Sequence, residues 1–262
     1  MQDTKITLHE FIEALYAAQD LDSAFQALEC AVLKLGFEHL SYTYIPDQLN
    51  RLLSQLSPVF KLSSQYRTDF IDHYQDANFG QHDFTIKKMT QGELTPISWW
   101  DTAKQEPLEQ KELNVIEVAR NEYGLRHGVT IPVYAAGGSV AGLSVTSPEQ
   151  DKLFALLYED RIGTLTLIAR MFSDRVLQLP ANRALFFNPF LDQFSSTEKQ
   201  VLTLLAQGSQ LKQIAFQLQL DYKYLSNAVI PSLRKKFGNV TRDQLMYEAG
   251  RIQFADMLEP QA

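Results

Sequence analysis

The chain has 262 residues, 45% hydrophobic and 21% charged, an ordinary globular composition with length for one large domain or two smaller ones. Its formal net charge of −7 excludes a protein coated in basic surface, although a small basic face fits inside an acidic total. A single cysteine, Cys30, excludes an internal disulfide and a cysteine-based metal site, so it is expected as a small buried hydrophobe in a reducing compartment.

From about Leu8 to Leu35, apolar residues recur at helical spacing (Leu8, Phe11, Ile12, Leu15, then Phe25, Leu28, Val32), which predicts two amphipathic helices. The opening MQDTKITLHEFIEAL carries acids early and has no unbroken apolar run, so it is not expected to be a secretory signal. No stretch approaches the ~20 apolar residues that span a bilayer, and the expectation is a soluble cytoplasmic protein without membrane partners. LSYTYIP (40–46) and PVFKLSSQY (58–66) alternate apolar and polar residues like half-buried strands. Tyr66, Phe70 and Tyr74 recur every four residues and predict one aromatic stripe on a helix. A loop-like ANFGQH leads to a lone acid, Asp83, and a short helix near 85–90. PISWWD (96–101) is expected as a strand, 106–122 as a helix ended by Gly124 as a left-handed cap. HGVTIPVYAAGGSVAGLSVTS (127–147) predicts a hairpin turning at Gly137-Gly138, and 150–178 a long helix. QLPANRALFFNPF (178–190) breaks the periodicity with two prolines and reads as a linker.

The order α-α-β-β-α-β-α-β-β-α suggests an α+β fold, an antiparallel sheet between helices, over residues 1–178. After a linker at 179–190, residues 191–262 are purely helical. There, Ser195 or Ser196 caps a helix that Gly208 ends, and 212–218 forms a short helix. Asp221 caps a third helix from Tyr222. This is the spacing of a helix-turn-helix, with the third helix placed in a major groove, and equally that of a small helical bundle.

The residues resemble the LuxR-type transcription regulators. Glu198, Leu202 and Gly208 stand at the spacing of that family's DNA-binding domain. Its Lys-x-Ile-Ala step is Lys212-Gln213-Ile214-Ala215, and its basic segment is Arg234-Lys235-Lys236. The resemblance implies a DNA-binding homodimer. Lys212, Lys223, Arg234, Lys235 and Arg242 are then the phosphate contacts, and Tyr222, Tyr224, Ser226 and Asn227 reach base edges or pack on neighbouring helices. Two features depart from the pattern. Pro231 falls inside the recognition helix, and the segment from Leu225 to Phe237 is one residue longer than usual, so the helix is expected to kink or stop near Ile230. From Phe190 to Gly250, seven Lys/Arg stand against five Asp/Glu, a net of only +2. These features motivate the alternative of a DNA-binding-impaired member that sequesters signal or forms inactive heterodimers with a related regulator.

The same family carries an N-terminal signal-binding domain, an α-β-α sandwich whose best-known ligands are N-acyl-homoserine lactones. Tyr66, Phe70, Tyr74, Asp83 and Trp99 or Trp100 follow its aromatic-and-acid pattern. Gly128 takes a family glycine position, and Ser144 falls where Ser or Thr is common. The resemblance implies that Asp83 accepts from a ligand amide, Tyr66 and Ser144 hold a carbonyl, and Tyr74 and Trp99 shape the pocket. Without it, Asp83 reads as an N-cap and the aromatics as core. The family has tryptophan where this chain has Phe70, which donates no hydrogen bond. Either another donor such as His73 or Ser41 serves an acyl lactone, or the signal is another small amide or cyclic compound. The histidines show no metal-ligand spacing, and no phosphate-cradling loop is present, so no catalytic residues, metal or cofactor are expected.

Overall fold

The structure is a computed structural model describing residues 2–45, 58–134 and 139–258. The described residues form two compact units, 2–45 with 58–177, and 178–258.

In the first unit, α1 (Gln2–Ala17) and α2 (Leu21–Lys34) precede β1 (His39–Ile45) and β2 (Val59–Leu62). Then come α3 (Thr68–Asp76), α4 (Phe84–Thr90), β3 (Ile97–Ser98), α5 (Trp99–Gln105) and α6 (Gln110–Asn121). The strands β4 (His127–Tyr134) and β5 (Val140–Ser147) lead into the long α7 (Asp151–Gln178). All strand pairs are antiparallel, in the order β2-β1-β5-β4-β3. The turn expected at Gly137-Gly138 lies outside the described residues.

Strand alternation divides the sheet into two faces. Tyr42, Leu143 and Ile131 are paired across β1, β5 and β4 and are fully buried. On this face the Phe172 ring of α7 meets Tyr42 and Phe25 edge-on, at 5.1 and 6.1 Å between centroids. Burying side chains of this size contributes roughly 1.5–3 kcal/mol each. Tyr42 keeps its hydroxyl satisfied by Ser173 Oγ at 2.9 Å. The opposite face carries Ser41, Ser144 and Thr130 in the same register, one residue along. Helices α3 to α6 lie on that side, so the unit is an antiparallel sheet sandwiched between helices.

Several elements differ from expectation. Tyr66 stands outside α3: Arg67 takes an extended conformation as N-cap, and Tyr66 N–H bonds to the Ser63 carbonyl at 3.0 Å. The stripe on the helix is therefore Phe70 and Tyr74 alone. The expected strand 96–101 is only two residues long, because α5 begins at Trp99. The helix expected over 106–122 begins at Gln110, where Glu109 and Glu112 form a reciprocal capping box. Gly124 does take a left-handed φ of +70°, and Leu125 N–H closes the helix end on Ala119 O at 2.9 Å. Cys30 is exposed rather than buried, because it points away from the α2 face that carries Leu28, Ala31 and Val32.

The second unit is all helical: α8 (Pro180–Leu191), α9 (Ser196–Ala206), α10 (Leu211–Gln217), α11 (Tyr222–Tyr224), a π turn (Leu225–Val229), α12 (Ile230–Lys236) and α13 (Arg242–Arg251). Residues 180–190, read as linker, are helical. Pro180 sits at the first turn, where its missing N–H has no helical partner to lose. Phe190 of α8 packs with Phe194, Phe237 and Phe254, a buried quartet with centroids 4.9–6.5 Å apart.

The segment from Tyr222 to Lys236 also differs from expectation. Backbone angles stay right-handed through both junctions, so α11, the π turn and α12 form one continuous helical run. In a regular α-helix, the Pro231 ring would clash with the carbonyl four residues back. The wider turn relieves this: Ile230 N–H reaches Leu225 O, five residues back, which absorbs one extra residue. The helix therefore passes Pro231 and ends at Lys236 instead of stopping near Ile230.

Candidate functional site

The helix-covered face of the sheet encloses a cavity in the first unit, with about 50 Å³ open to a water-sized solute, room for a few waters. Ser41, Tyr66, Phe70, Tyr74, Asp83, Trp99 and Ser144, the residues singled out in the sequence, all line it.

Asp83 is the polar centre. Its backbone is extended and begins α4, and its Oδ1 accepts from Thr85 N–H at 2.8 Å and Thr85 Oγ1 at 2.7 Å. Its Oδ2 accepts from the Tyr74 hydroxyl at 2.9 Å. The carboxylate is thus a helix cap and a cavity wall at once, so the two readings of Asp83 do not compete. Burial, and then the adjoining Asp83 charge, push the Tyr74 hydroxyl well above the usual phenol range. Burial likewise raises Tyr66, partly offset by its hydrogen bond with Ser41.

Ser41 and Ser144 line the cavity at the sheet and belong to a row of hydroxyls across three strands. Ser41 on β1 lies opposite Ser144 on β5, which lies opposite Thr130 on β4. Trp99 Nε1 donates to Thr130 Oγ1 at 2.9 Å, and Thr130 Oγ1 stands 2.9 Å from Ser144 Oγ. Trp99, not Trp100, faces the cavity; Trp100 Nε1 donates to Arg126 O at 3.0 Å. Gly128 is required by this packing, since a Cβ there would stand 2.3 Å from the Trp99 ring. A Cβ at Gly142 would similarly stand 2.6 Å from Met89 Sδ.

Phe70 is buried, with its ring 5.2 Å from Tyr123 and 6.0 Å from Tyr74. His73, weighed as a replacement donor, does not line the cavity; its Nδ1 is bonded to Tyr123 Oη at 2.8 Å. Sequence reasoning missed the lining residues Thr43, Thr85 and Met89, the apolar ones of α3 and α6 (Ile71, Val115, Ile116 and Ala119), and Thr130, which lies behind the lining and bonds Trp99 and Ser144. Thr43 was accessible from alternation with Ser41, and Thr130 from hairpin register with Ser144. Among the described residues, no group of three or more His, Cys, Asp or Glu side chains is arranged to hold a metal. No described helix is long and apolar enough to cross a membrane.

In the second unit, α9 is capped by Ser195, whose hydroxyl accepts from Glu198 N–H at 3.2 Å. Gly208 ends that helix at a φ of +86°. The α10 end closes through Leu220 N–H to Ala215 O at 2.9 Å, with Gln219 left-handed. Asp221 Oδ1 then accepts from Tyr224 N–H at 2.9 Å and starts α11. Lys212, Tyr222, Lys223, Tyr224, Asn227 and Lys235 are exposed, as is Arg242 on α13. Neither tyrosine is packed into the core. Ser226 is partly covered and bonded to Lys223 O, and Arg234 Nε is directed to Val240 O at 2.6 Å. Glu198 is buried and receives Ser232 Oγ at 2.7 Å and the Lys236 ammonium. Burial pushes its carboxyl up, but the Lys236, Ser232 and Ser195 hydrogen bonds outweigh this and hold it below the usual range.

Residues 20–176 match the family model of the autoinducer binding domain. The transcriptional activator protein RaiR of Rhizobium etli is 26% identical over 185 residues, which cover 69% of this chain and 72% of RaiR. The transcriptional activator protein BjaR1 of Bradyrhizobium diazoefficiens is 23% identical over 136 residues, 52% of this chain and about half (53%) of BjaR1. Among solved structures, Escherichia coli SdiA aligns over 96% of this chain and 98% of its own, at 18% identity and a TM-score of 0.48. With the family model spanning more than half of its length, the chain belongs to the autoinducer-binding-domain family, as a LuxR-type quorum-sensing regulator.

Proposed function

We propose that the chain is a ligand-responsive, DNA-binding transcription regulator that acts as a cytoplasmic homodimer. Its signal is a small acylated amide. The observation that carries this reading is the Asp83 carboxylate, held by Tyr74 and Thr85 in the wall of a cavity that the hydroxyls of Ser41 and Ser144 also line. A carboxylate acceptor and hydroxyl groups lining one largely apolar cavity match an amide N–H and its carbonyl. A ligand that binds only the folded state adds RT ln(1 + [L]/Kd) to stability, which couples the signal to the amount of folded regulator.

The helices α10 and α11 form the helix-turn-helix of this reading, with Lys223, Asn227 and Lys235 towards DNA. The alternative, a member impaired in DNA binding, is motivated by Pro231 and by the net charge of only +2 from Phe190 to Gly250. The unbroken run from Tyr222 to Lys236 favours the DNA-binding reading over it. Two copies compensate for the weakly basic unit, and a pseudo-palindromic site with half-sites ~10 bp apart is expected. The test is a DNA selection with the purified full chain, with and without an extract of the native host. Enrichment of a two-fold sequence supports the proposal; no sequence preference in either condition overturns it.

A further inference from the structure

The run from Tyr222 to Lys236 buries Leu225, Val229, Ile230 and Leu233 and turns its other side outwards. Lys223, Tyr224, Asn227, Ala228, Pro231 and Lys235 are exposed. They follow one another at steps of three or four residues, so they form one line along the helix. The line is basic at both ends and uncharged between them.

The π turn sets the middle of that line. Ile230 N–H reaches Leu225 O, five residues back. Leu225 and Val229 anchor both ends of the turn in the core, so its extra width goes outwards. Asn227 is the middle residue of the turn, and Ala228 follows it.

The chemistry along the line is uneven. Lys223 and Lys235 only donate, as point charges on flexible stems, which suits phosphates. Ala228 and Pro231 carry no polar side-chain atom. Asn227 brings an amide, which donates and accepts side by side. Ser226 Oγ stands 3.2 Å from Asn227 Oδ1 and 3.3 Å from Lys223 O, a contact that leaves the Asn227 N–H₂ and a second lone pair on Oδ1. In the major groove an adenine presents the N7 acceptor beside the N6 donor, the complement of a carboxamide, and a thymine presents its methyl group.

We propose that Asn227 determines sequence specificity by pairing with an adenine in the major groove, while Ala228 packs on a thymine methyl in the same or the next base pair. Lys223 and Lys235 take phosphates at either end. This rests on the DNA-binding reading above and adds the base and the atoms by which it is read.

The test begins with duplexes that the full chain enriches from a random library. These are remade, one position at a time, with 7-deazaadenine, which lacks N7, or with deoxyuridine, which lacks the methyl. One adenine per half-site is expected at which 7-deazaadenine weakens binding roughly tenfold or more. Asn227→Ala should bind the two duplexes alike at that position, and Asn227→Arg should prefer guanine there. Deoxyuridine at the adjoining thymine should weaken binding roughly fourfold. If Asn227→Ala stays as sensitive to 7-deazaadenine as the wild type at every position, the proposal falls and the DNA-binding reading stands. Tolerance of deoxyuridine at every thymine removes Ala228 from it. A library that yields no enriched sequence overturns the DNA-binding reading and the proposal with it.

Discussion

Tyr74 donates its hydroxyl proton to Asp83 Oδ2 at 2.9 Å, while the other oxygen of the same carboxylate caps α4 through Thr85. One side chain therefore links α3 to the start of α4 and faces the cavity. Replacing Asp83 with Ala removes the cap, worth ~1 kcal/mol, and leaves a buried phenol unsatisfied, at ~1–3 kcal/mol. Urea denaturation should show a loss of about 2–4 kcal/mol. Asp83→Asn, which keeps an acceptor oxygen, should lose less. Equal losses would mean that the hydrogen bonds to Thr85 and Tyr74 contribute little.

The alkaline limb of stability follows from the same pair. The Tyr74 and Tyr66 hydroxyls are raised in the folded state, chiefly by burial. Above pH ~10 the unfolded chain loses these protons while the folded chain keeps them. Their contribution is therefore complete below pH ~10 and falls as pH rises beyond it. Melting temperatures measured from pH 8 to 11.5 should drop above pH 10, and Tyr74→Phe should shallow the drop. An identical slope in the variant would rule out Tyr74 as a source.

Gly128→Ala places a Cβ 2.3 Å from a rigid indole on the neighbouring element. Overpacking of this kind costs ~1–3 kcal/mol. Shortening the obstacle with Trp99→Leu in the same chain should recover part of the loss, so the double variant should be less destabilised than the sum of the singles. Strict additivity would show that the two sites do not touch in solution.

Glu198 is buried, and its hydrogen bonds from Lys236, Ser232 and Ser195 N–H hold its carboxyl below the ordinary value. A depressed carboxylate stabilises above its unfolded value, near 4.5, and the stabilisation is lost as pH falls through the lower folded value. Glu198→Ala should destabilise the second unit by about 3 kcal/mol, since it leaves a half-covered ammonium without its partner. It should also flatten the acid side of that unit's stability curve between pH 5 and 3, followed by far-ultraviolet circular dichroism.

If Lys235 contacts a phosphate, Lys235→Ala should weaken binding to every DNA sequence alike and reduce the slope of log K against log salt by about 1. Asn227→Ala should instead change sequence preference and leave the slope in place. A Lys235 variant with an unchanged slope would remove that residue from the interface.

Much of the cavity was legible because its residues fall at spacings that local structure enforces. Phe70 and Tyr74 are one helical turn apart, and Ser144 lies on a strand whose alternation is strong. The rest depended on contacts that no local pattern encodes. Tyr66 continues the four-residue spacing yet precedes the helix, because Arg67 is extended. Trp99 reads as strand in a β-rich run, but only two residues of that run pair with β4. The α8 segment looked like linker because of its prolines, whereas Pro180 occupies the one helical turn that tolerates it. Cysteine is a commonly buried residue type, but the position of Cys30 on α2 leaves it exposed.

The π turn carries a consequence for how this helix tolerates change in length. Leu225, Val229, Leu233 and Phe237 are all buried and spaced by four. In a regular α-helix, each four-residue step drifts by ~40° around the axis, enough to carry the last of them well off the face of the first. The wide turn at Leu225–Val229 unwinds most of that drift. A one-codon insertion elsewhere in the run would rotate every later side chain by ~100°. The turn already holds one such residue in phase, so deleting a single residue within it should leave a regular helix with the buried stripe and the basic end still on their own faces, whereas a deletion elsewhere in the run exchanges the inside of the helix for its outside.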